Sequence, residues 1–210
     1  MKNYEITITI PRYMQHRMDD IALEAWEKNH GHIIDRPEIP KEDKLRADYH
    51  CHRDENDKCF IPCEHLEQAM INGGTQVKSK VGNSRRSMTN IVAGQFSVLP
   101  IRIPLREYDE IDKRSAVNKN TGARIITVRP KWNNLEITFT LQVMNDTITP
   151  ETIKEILYHA GTMFGIGSYR PQNKGKFGVF KVKFFSNGDR NNLVGTAEKP
   201  KKRRGRPPKK

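Results

Sequence analysis

The stretch at residues 149–186 constrains the fold most, because it predicts a helix, a glycine-rich loop and a strand in direct succession. Thr149 followed by Pro150 is typical of a helix start, where the hydroxyl accepts a hydrogen bond from a free amide and proline is tolerated. Apolar residues then repeat at helical spacing: Ile153, Ile156, Leu157 and Ala160. Gly161 is predicted to end or loosen this helix. A strand containing Val179, Lys181 and Phe184 is predicted to leave the loop.

The glycine-rich loop, residues 165–178, predicts an anion site. Glycine adopts positive φ and lets a ligand approach the main-chain amides, and exposed amides beside cations bind phosphate well. Tyr169 lies among the cations and is a candidate for stacking on a base. The predicted contacts are those of Gly165, Gly167, Tyr169, Arg170, Lys174, Gly175 and Lys176. The alternative is a connection whose glycines only permit turns, and both interpretations stay open at this point.

Positive charge is concentrated at one end of the chain. The sequence has 37 Lys and Arg against 25 Asp and Glu, a net charge of +12. Residues 199–210 hold eight of the basic residues and no acidic residue. Such a tail is predicted to be disordered and to bind a polyanion.

The tail also contains a specific motif. Arg203, Arg204, Gly205, Arg206 and Pro207, flanked by lysines, resemble an AT-hook. The A·T minor groove is narrow and negative, so it attracts inserted arginines, while lysines add salt-dependent contacts to phosphates. The alternatives are a generic polycation, or a nuclear localisation signal in a eukaryotic host.

The remaining chain alternates strand and helix patterns. Residues 4–11, YEITITIP, predict a half-buried strand, and residues 135–143 predict another. Helices are predicted at residues 18–28 and 63–71, the second closed by Gly73 and Gly74. Residues 29–57 read as an excursion without a regular pattern. A short strand is predicted at residues 59–62, a β-rich run at 91–105 and a basic hairpin at 108–129.

A second group of cations lies in an apolar-poor segment that predicts an exposed basic loop. Its members are Lys78, Lys80, Arg85 and Arg86. These side chains are further predicted contacts to a phosphate backbone.

The order of elements predicts an α+β fold. Without the excursion it approximates βαββαβ, the ferredoxin-like (RRM-like) split unit, in which both helices cover one face of an antiparallel sheet. The predicted organisation is a domain at residues 1–186 with an insertion at about 29–90, a linker at 187–198 and the disordered basic tail at 199–210.

The sequence resembles the RAMP superfamily, specifically the backbone subunits of CRISPR effector complexes. Three features carry the resemblance: the first strand YEITITI, the segment FIPCEHLEQA at residues 60–69, similar to the family's IPG-type motif, and the glycine-rich loop before the last strand. Cys63 stands at the motif's glycine, and Glu67 and Gln68 stand at its basic positions. The resemblance implies a non-enzymatic binder of single-stranded RNA or of a heteroduplex, or a stand-alone phage or mobile-element relative.

Cysteine and histidine residues crowd into residues 50–65 and raise the question of zinc. The candidate ligands are Cys51, Cys59, Cys63 and His65. Their spacings do not match a common zinc finger, so we favour free buried thiols and surface histidines, with no metal and no other cofactor.

Enzyme motifs are weak. The sequence contains no G-x-S-x-G or H-E-x-x-H motif, and His16 and His30 are the candidates for a RAMP-type, metal-independent endoribonuclease. Our first interpretation is a non-enzymatic nucleic-acid-binding protein. A third alternative is a phage protein that joins or inhibits a nucleoprotein complex.

Partners and location follow from the same features. The expected ligands are RNA, single-stranded DNA or A·T-rich duplex, with a homo-oligomer or filament forming along the nucleic acid. No apolar run is long enough for a membrane helix and no signal peptide is visible. The odd cysteine count argues against a secreted disulfide scaffold. We therefore expect a location in the cytoplasm of a bacterial or phage-infected cell, or in the nucleus if the host is eukaryotic.

Overall fold

The computed structural model describes residues 1–17, 42–81, 84–117, 122, 124–145 and 147–187. Its strands are β1 (Lys2–Met14), β2 (Phe60–Pro62), β3 (Lys78–Val81), β4 (Ser84–Ser87), β5 (Phe96–Leu99), β6 (Arg102–Pro104), β7 (Glu110–Val117), β8 (Arg124–Val143) and β9 (Lys181–Asn187). The α-helices are α1 (Asp43–Tyr49), α2 (Cys63–Gly74), α3 (Thr89–Gln95) and α4 (Pro150–His159). The predicted α+β class is therefore confirmed. The predicted helix at residues 18–28 lies outside the described residues.

A five-stranded antiparallel sheet organises the chain, with the order β5-β8-β1-β9 and β7 paired to β8. Strand β8 is 20 residues long and pairs with three of the other four strands of this sheet. Its first part, residues 124–131, pairs with β7, and residues 131–143 pair with β1. Its last four residues also pair with β5. Two smaller ladders, β2-β6 and β3-β4, lie outside this sheet.

The alternating pattern of β1 forms the centre of the core, as the sequence predicted. Tyr4, Ile6, Ile8 and Ile10 are fully buried. They lie in one core cluster with the buried faces of β8, α2 and α4. The opposite face of the sheet is polar, and there the Thr7 and Thr138 hydroxyls of adjacent strands lie 2.8 Å apart.

Helix α4 begins as predicted but continues further. The Thr149 hydroxyl accepts a hydrogen bond from the Thr152 amide at 3.3 Å, and Pro150 occupies the first turn. Beyond His159 the chain continues through Gly161 as a π-helical turn, Ala160–Phe164. A Cβ on Gly161 would collide with the Phe180 carbonyl. This glycine therefore permits close packing of the turn against the chain that enters β9. The change from an α-helix to a wider π-helical turn at this point agrees with the prediction that Gly161 loosens the helix.

Several local predictions are wrong where tertiary packing decides the conformation. Residues 78–81 and 84–87 form the paired strands β3 and β4 and not a loop. Residues 91–95 belong to helix α3, whose Val92 is buried, before β5 and β6 begin. Helix α2, by contrast, begins at Cys63 as predicted, includes both glycines and ends at Gly74. A Cβ on Gly73 would overlap the Ile156 carbonyl of α4, so glycine allows the two helices to approach closely.

Part of the predicted excursion is also helical. Helix α1 packs against β8 with Ala47 fully buried. The Arg46 guanidinium donates to the Ile126 carbonyl at 2.9 Å, and Lys113 of β7 forms an ion pair with Asp43 at 2.7 Å. This short segment carries little periodic signal because most of its stabilising contacts are to β7 and β8.

No helix in the described parts of the chain is long and apolar enough to cross a membrane.

The predicted linker, apart from Asn187, and the tail lie outside the described residues, so the proposed domain boundaries stay a prediction.

Candidate nucleic-acid interface

The glycine-rich loop is anchored on the end of β1. The Ser168 amide donates to the Met14 carbonyl at 2.8 Å, and the Gly178 amide donates to the Arg12 carbonyl at 2.7 Å. The Ile166 amide in turn donates to the Gly178 carbonyl at 3.0 Å, which closes the base of the loop. The loop therefore has a defined shape and a fixed position at one end of the sheet.

Close packing explains two of the loop glycines. Gly178 has φ 68°, and a Cβ there would collide with the Ile166 carbonyl. A Cβ on Gly175 would collide with the Tyr169 carbonyl. These glycines are required by the fold of the loop itself.

Most loop amides are already used inside the protein, which corrects the expectation of a row of free donors. Main-chain carbonyls accept hydrogen bonds from the amides of Gly165, Ile166, Ser168, Asn173, Lys174, Gly175, Phe177 and Gly178. An anion bound at this loop would therefore be held chiefly by side chains. The anion site predicted from exposed main-chain amides is not the basis of the candidate interface.

Two arginines lie over two aromatic rings at this loop, and we call Arg12, Arg114, Tyr169 and Phe177 the arginine–aromatic cluster. The guanidinium of Arg12 lies 5.1 Å from the Phe177 ring centre. That of Arg114, on β7, lies 5.2 Å from the Tyr169 ring and 5.1 Å from the Phe177 ring. The two rings are 6.0 Å apart. Tyr169 is 42% exposed, whereas Phe177 is buried.

The loop and its cluster are electropositive. Lys174 and Lys176 are exposed. At the loop surface the Arg170 guanidinium donates a hydrogen bond to the side-chain oxygen of Gln172 at 3.0 Å. Arg114 forms a hydrogen-bonded ion pair with the Asp112 carboxylate, and its hydrogen bonds to that carboxylate raise the pKa of the arginine. One carboxylate therefore offsets part of the positive charge, while the exposed cations remain available to an anionic ligand.

The second predicted group of cations lies on the β3-β4 hairpin. Lys78, Arg85 and Arg86 have exposed side chains, and Lys80 pairs with Arg85 in the ladder. This hairpin is a two-stranded ladder separate from the main sheet, whereas the glycine-rich loop is anchored on β1 of that sheet. The two groups of cations therefore lie on different structural units.

The candidate catalytic histidine, His16, lies in a packed cluster. Its ring stacks on that of His50 at 4.2 Å, and its Nδ1 accepts a hydrogen bond from Arg129 at 3.4 Å. Burial, His50 and Arg129 lower the pKa of His16 to about 3. Since efficient acid–base catalysis needs a pKa near the working pH, His16 is a poor general acid or base at neutral pH. The other candidate, His30, lies outside the described residues.

The cysteines are brought together only in part. Cys51 and Cys59 have sulfur atoms 3.1 Å apart, and Cys63 is buried at the start of α2. Burial raises the pKa of Cys63 to about 11. Within the described ranges, no three histidine, cysteine or acidic side chains converge as a metal site would require.

The AT-hook-like residues 203–207 lie outside the described residues, so that prediction stays open.

Sequence reasoning missed Arg12 and Arg114. The break of the alternating pattern after Pro11 is a signal that Arg12 leaves the core face, but nothing in the sequence places Arg114 beside the loop.

The fold and site together define an α+β protein with an antiparallel sheet and an electropositive, aromatic loop at one end. Neither a family model nor a curated protein matches this chain. Among solved structures it is similar to a chain of the type III-B Cmr-beta bound to cognate target RNA, solved by cryo-electron microscopy, with 8% identity and a TM-score of 0.47. The match covers 89% of this chain and 60% of that chain.

Proposed function

We propose that this chain is a non-enzymatic nucleic-acid-binding protein that holds its ligand at the glycine-rich loop. The observation that carries the proposal is the arginine–aromatic cluster, in which the exposed ring of Tyr169 lies against Arg114 and beside exposed lysines. Aromatic rings stack on bases and cations neutralise phosphates, so this combination suits a nucleic acid better than a small anion.

The cluster favours a single strand over a duplex. A base stacks on Tyr169 only if it is not already stacked between neighbouring bases. Arg170, Lys174 and Lys176 on the same loop are then available to the phosphates of that strand. RNA and single-stranded DNA both meet these requirements.

The proposed core is ferredoxin-like. The strand order β5-β8-β1-β9, with α2 between β1 and β5 and α4 between β8 and β9, supports a βαββαβ arrangement with the other strands as insertions. Membership of the RAMP superfamily is part of the same proposal, and it rests on the sequence motifs.

The basic elements outside the loop have supporting roles. The β3-β4 hairpin would add phosphate contacts through Lys78, Arg85 and Arg86. The tail would bind separately, in an A·T-rich minor groove, through Arg204 and Arg206. The endoribonuclease alternative is disfavoured by the low pKa of His16, and incubation of the protein with labelled RNA in the absence of metal tests it directly.

The test of the proposal is a salt titration of binding to single-stranded RNA, single-stranded DNA and duplex. Replacing Arg170, Lys174 and Lys176 with alanine should weaken binding to all sequences alike and flatten the salt slope by up to ~3. The matched control replaces Arg102, Lys44 and Lys58, which lie outside the loop and carry the same charge. If the two triple variants behave alike, the loop is not the binding site.

A further inference from the structure

Cys51 and Cys59 form a close pair beneath an exposed turn. Their sulfur atoms lie 3.1 Å apart, and each residue is 1% exposed. Arg53 and Cys59 form an antiparallel bridge, and the Phe60 amide donates to the His52 carbonyl at 3.0 Å. Because Arg53 is the residue opposite Cys59, Cys51 lies diagonally across from Cys59, and the two sulfur atoms meet between two short antiparallel segments.

The turn that joins these segments is held in a fixed shape. The Asp54 carboxylate accepts hydrogen bonds from the amides of Asn56 and Lys58, each at 2.9 Å. The Asp54 amide donates to the Lys58 carbonyl at 3.0 Å. Because the turn keeps the two segments together, the thiols need no large rearrangement to approach bonding distance.

The surroundings make the two sulfur atoms unequal. The hydrogen bond from Cys51 lowers the pKa of Cys59, and the positive charge of Arg53 acts in the same direction, whereas burial and the Glu107 carboxylate, 3.7 Å from the Cys59 sulfur, act against it. The pKa of Cys51 is raised by the same hydrogen bond and by burial. Since the thiolate is the nucleophile in thiol oxidation, Cys59 is the thiol of this pair that reacts first.

We propose that Cys51 and Cys59 are an oxidation site that closes to a reversible intramolecular disulfide when the protein meets a peroxide. The Cys59 thiolate attacks one peroxide oxygen, the O–O bond breaks, and a sulfenic acid forms with release of water after protonation. Cys51 then attacks that sulfur, the S–S bond forms, and a second water molecule leaves. Two thiols are oxidised and one peroxide is reduced, and a dithiol reverses the reaction.

The Cys51–Cys59 disulfide would cross-link two segments that also form hydrogen bonds to the end of the main sheet. The fully buried Gln15, just after β1, accepts a hydrogen bond from the His52 amide at 3.0 Å and donates to the Phe60 carbonyl at 2.7 Å. The disulfide would cross-link these same two segments, at the end of α1 and the start of β2. We expect the oxidised protein to resist opening of this turn more than the reduced protein does.

The experiment oxidises the full chain with hydrogen peroxide, alkylates the remaining thiols and maps tryptic peptides without reduction. The expected product is a Cys51–Cys59 bridge that lacks two hydrogen atoms, with Cys63 alkylated, and that disappears after dithiothreitol treatment. Trypsin cleaves after Arg53 and Lys58, so the bridge joins two peptides. Because Cys59 and Cys63 lie on the same tryptic peptide, fragmentation of the linked pair in the mass spectrometer shows which of the two cysteines is bridged.

The variant Cys63→Ser should form the same bridge, and Cys59→Ser should form none. A bridge that includes Cys63, a link between two molecules, or no bridge at peroxide levels that oxidise a free exposed thiol would each overturn the proposal. The map of the unmodified chain decides the question even if a serine variant fails to fold.

Discussion

Arg114 of β7 lies 5.2 Å from the Tyr169 ring centre and 5.1 Å from that of Phe177, so one side chain connects the β7-β8 hairpin to the glycine-rich loop. These residues are far apart in sequence. Their contact fixes the orientation of the exposed Tyr169 ring at the electropositive loop, which is the feature that the proposed function depends on.

The variant Tyr169→Ala is expected to weaken binding to single-stranded nucleic acid by about 5- to 150-fold, since one base–aromatic stack contributes ~1–3 kcal/mol. Duplex binding should change little, and Tyr169→Phe should retain most of the affinity. Fluorescence anisotropy with labelled oligonucleotides measures all three. The matched control is Tyr158→Ala, because Tyr158 on α4 is 38% exposed, against 42% for Tyr169. Equal losses in the two alanine variants would contradict the role of Tyr169.

The variant Gly178→Ala is expected to destabilise the protein by about 2–4 kcal/mol, because the added Cβ meets the Ile166 carbonyl and the residue has φ 68°. Gly94→Ala is the control, since a Cβ there meets nothing within 4 Å. It lies in α3 and should stabilise the protein by ~0.5–1 kcal/mol. Chemical denaturation measures both, and a Gly178→Ala protein as stable as the parent would show that the loop adapts.

Acid should destabilise the fold partly through His16. Its pKa is about 3 when folded, against an ordinary value of 6.5, so between these pH values the unfolded chain binds a proton that the folded protein does not. The contribution is fully present above pH 6.5 and is lost as pH falls towards 3, by up to ~1.4 kcal/mol per pH unit. His16→Asn should show a shallower pH dependence of its unfolding free energy than the parent protein. Parallel curves for the two proteins would refute this contribution.

The tail is expected to order only in an A·T-rich minor groove. Deleting residues 199–210 should remove A·T-preferring duplex binding and leave the folded core and single-strand binding in place. The double variant Arg204→Lys, Arg206→Lys keeps the charge but loses the flat guanidinium groups that fit a narrow groove. Its preference for A·T over G·C duplex should disappear while non-specific binding persists. If the lysine variant keeps the full preference, the tail is only a polycation.

The sequence by itself determined the elements whose signal is local. The alternating isoleucines of β1 fix which face of the strand is buried, because burial removes the apolar side chains of that face from water. Thr149 and Pro150 mark the start of α4 because capping involves only neighbouring residues. The basic hairpin predicted at residues 108–129 was identifiable because hairpin signals are also local, and β7 and β8 pair within that range.

Only the tertiary structure decided how the loop and its partners are used. The β3-β4 hairpin and helix α3 have weak local patterns and are stabilised by main-chain pairing and by burial of Val92. The glycines of the loop predicted main-chain amides that are free to bind an anion. Most amides of the loop instead donate hydrogen bonds within the protein, because the loop folds back onto β1. The contacts of Arg114 with Tyr169 and Phe177, and of Cys51 with Cys59, depend on how separate segments pack, and no local pattern of residues encodes that packing.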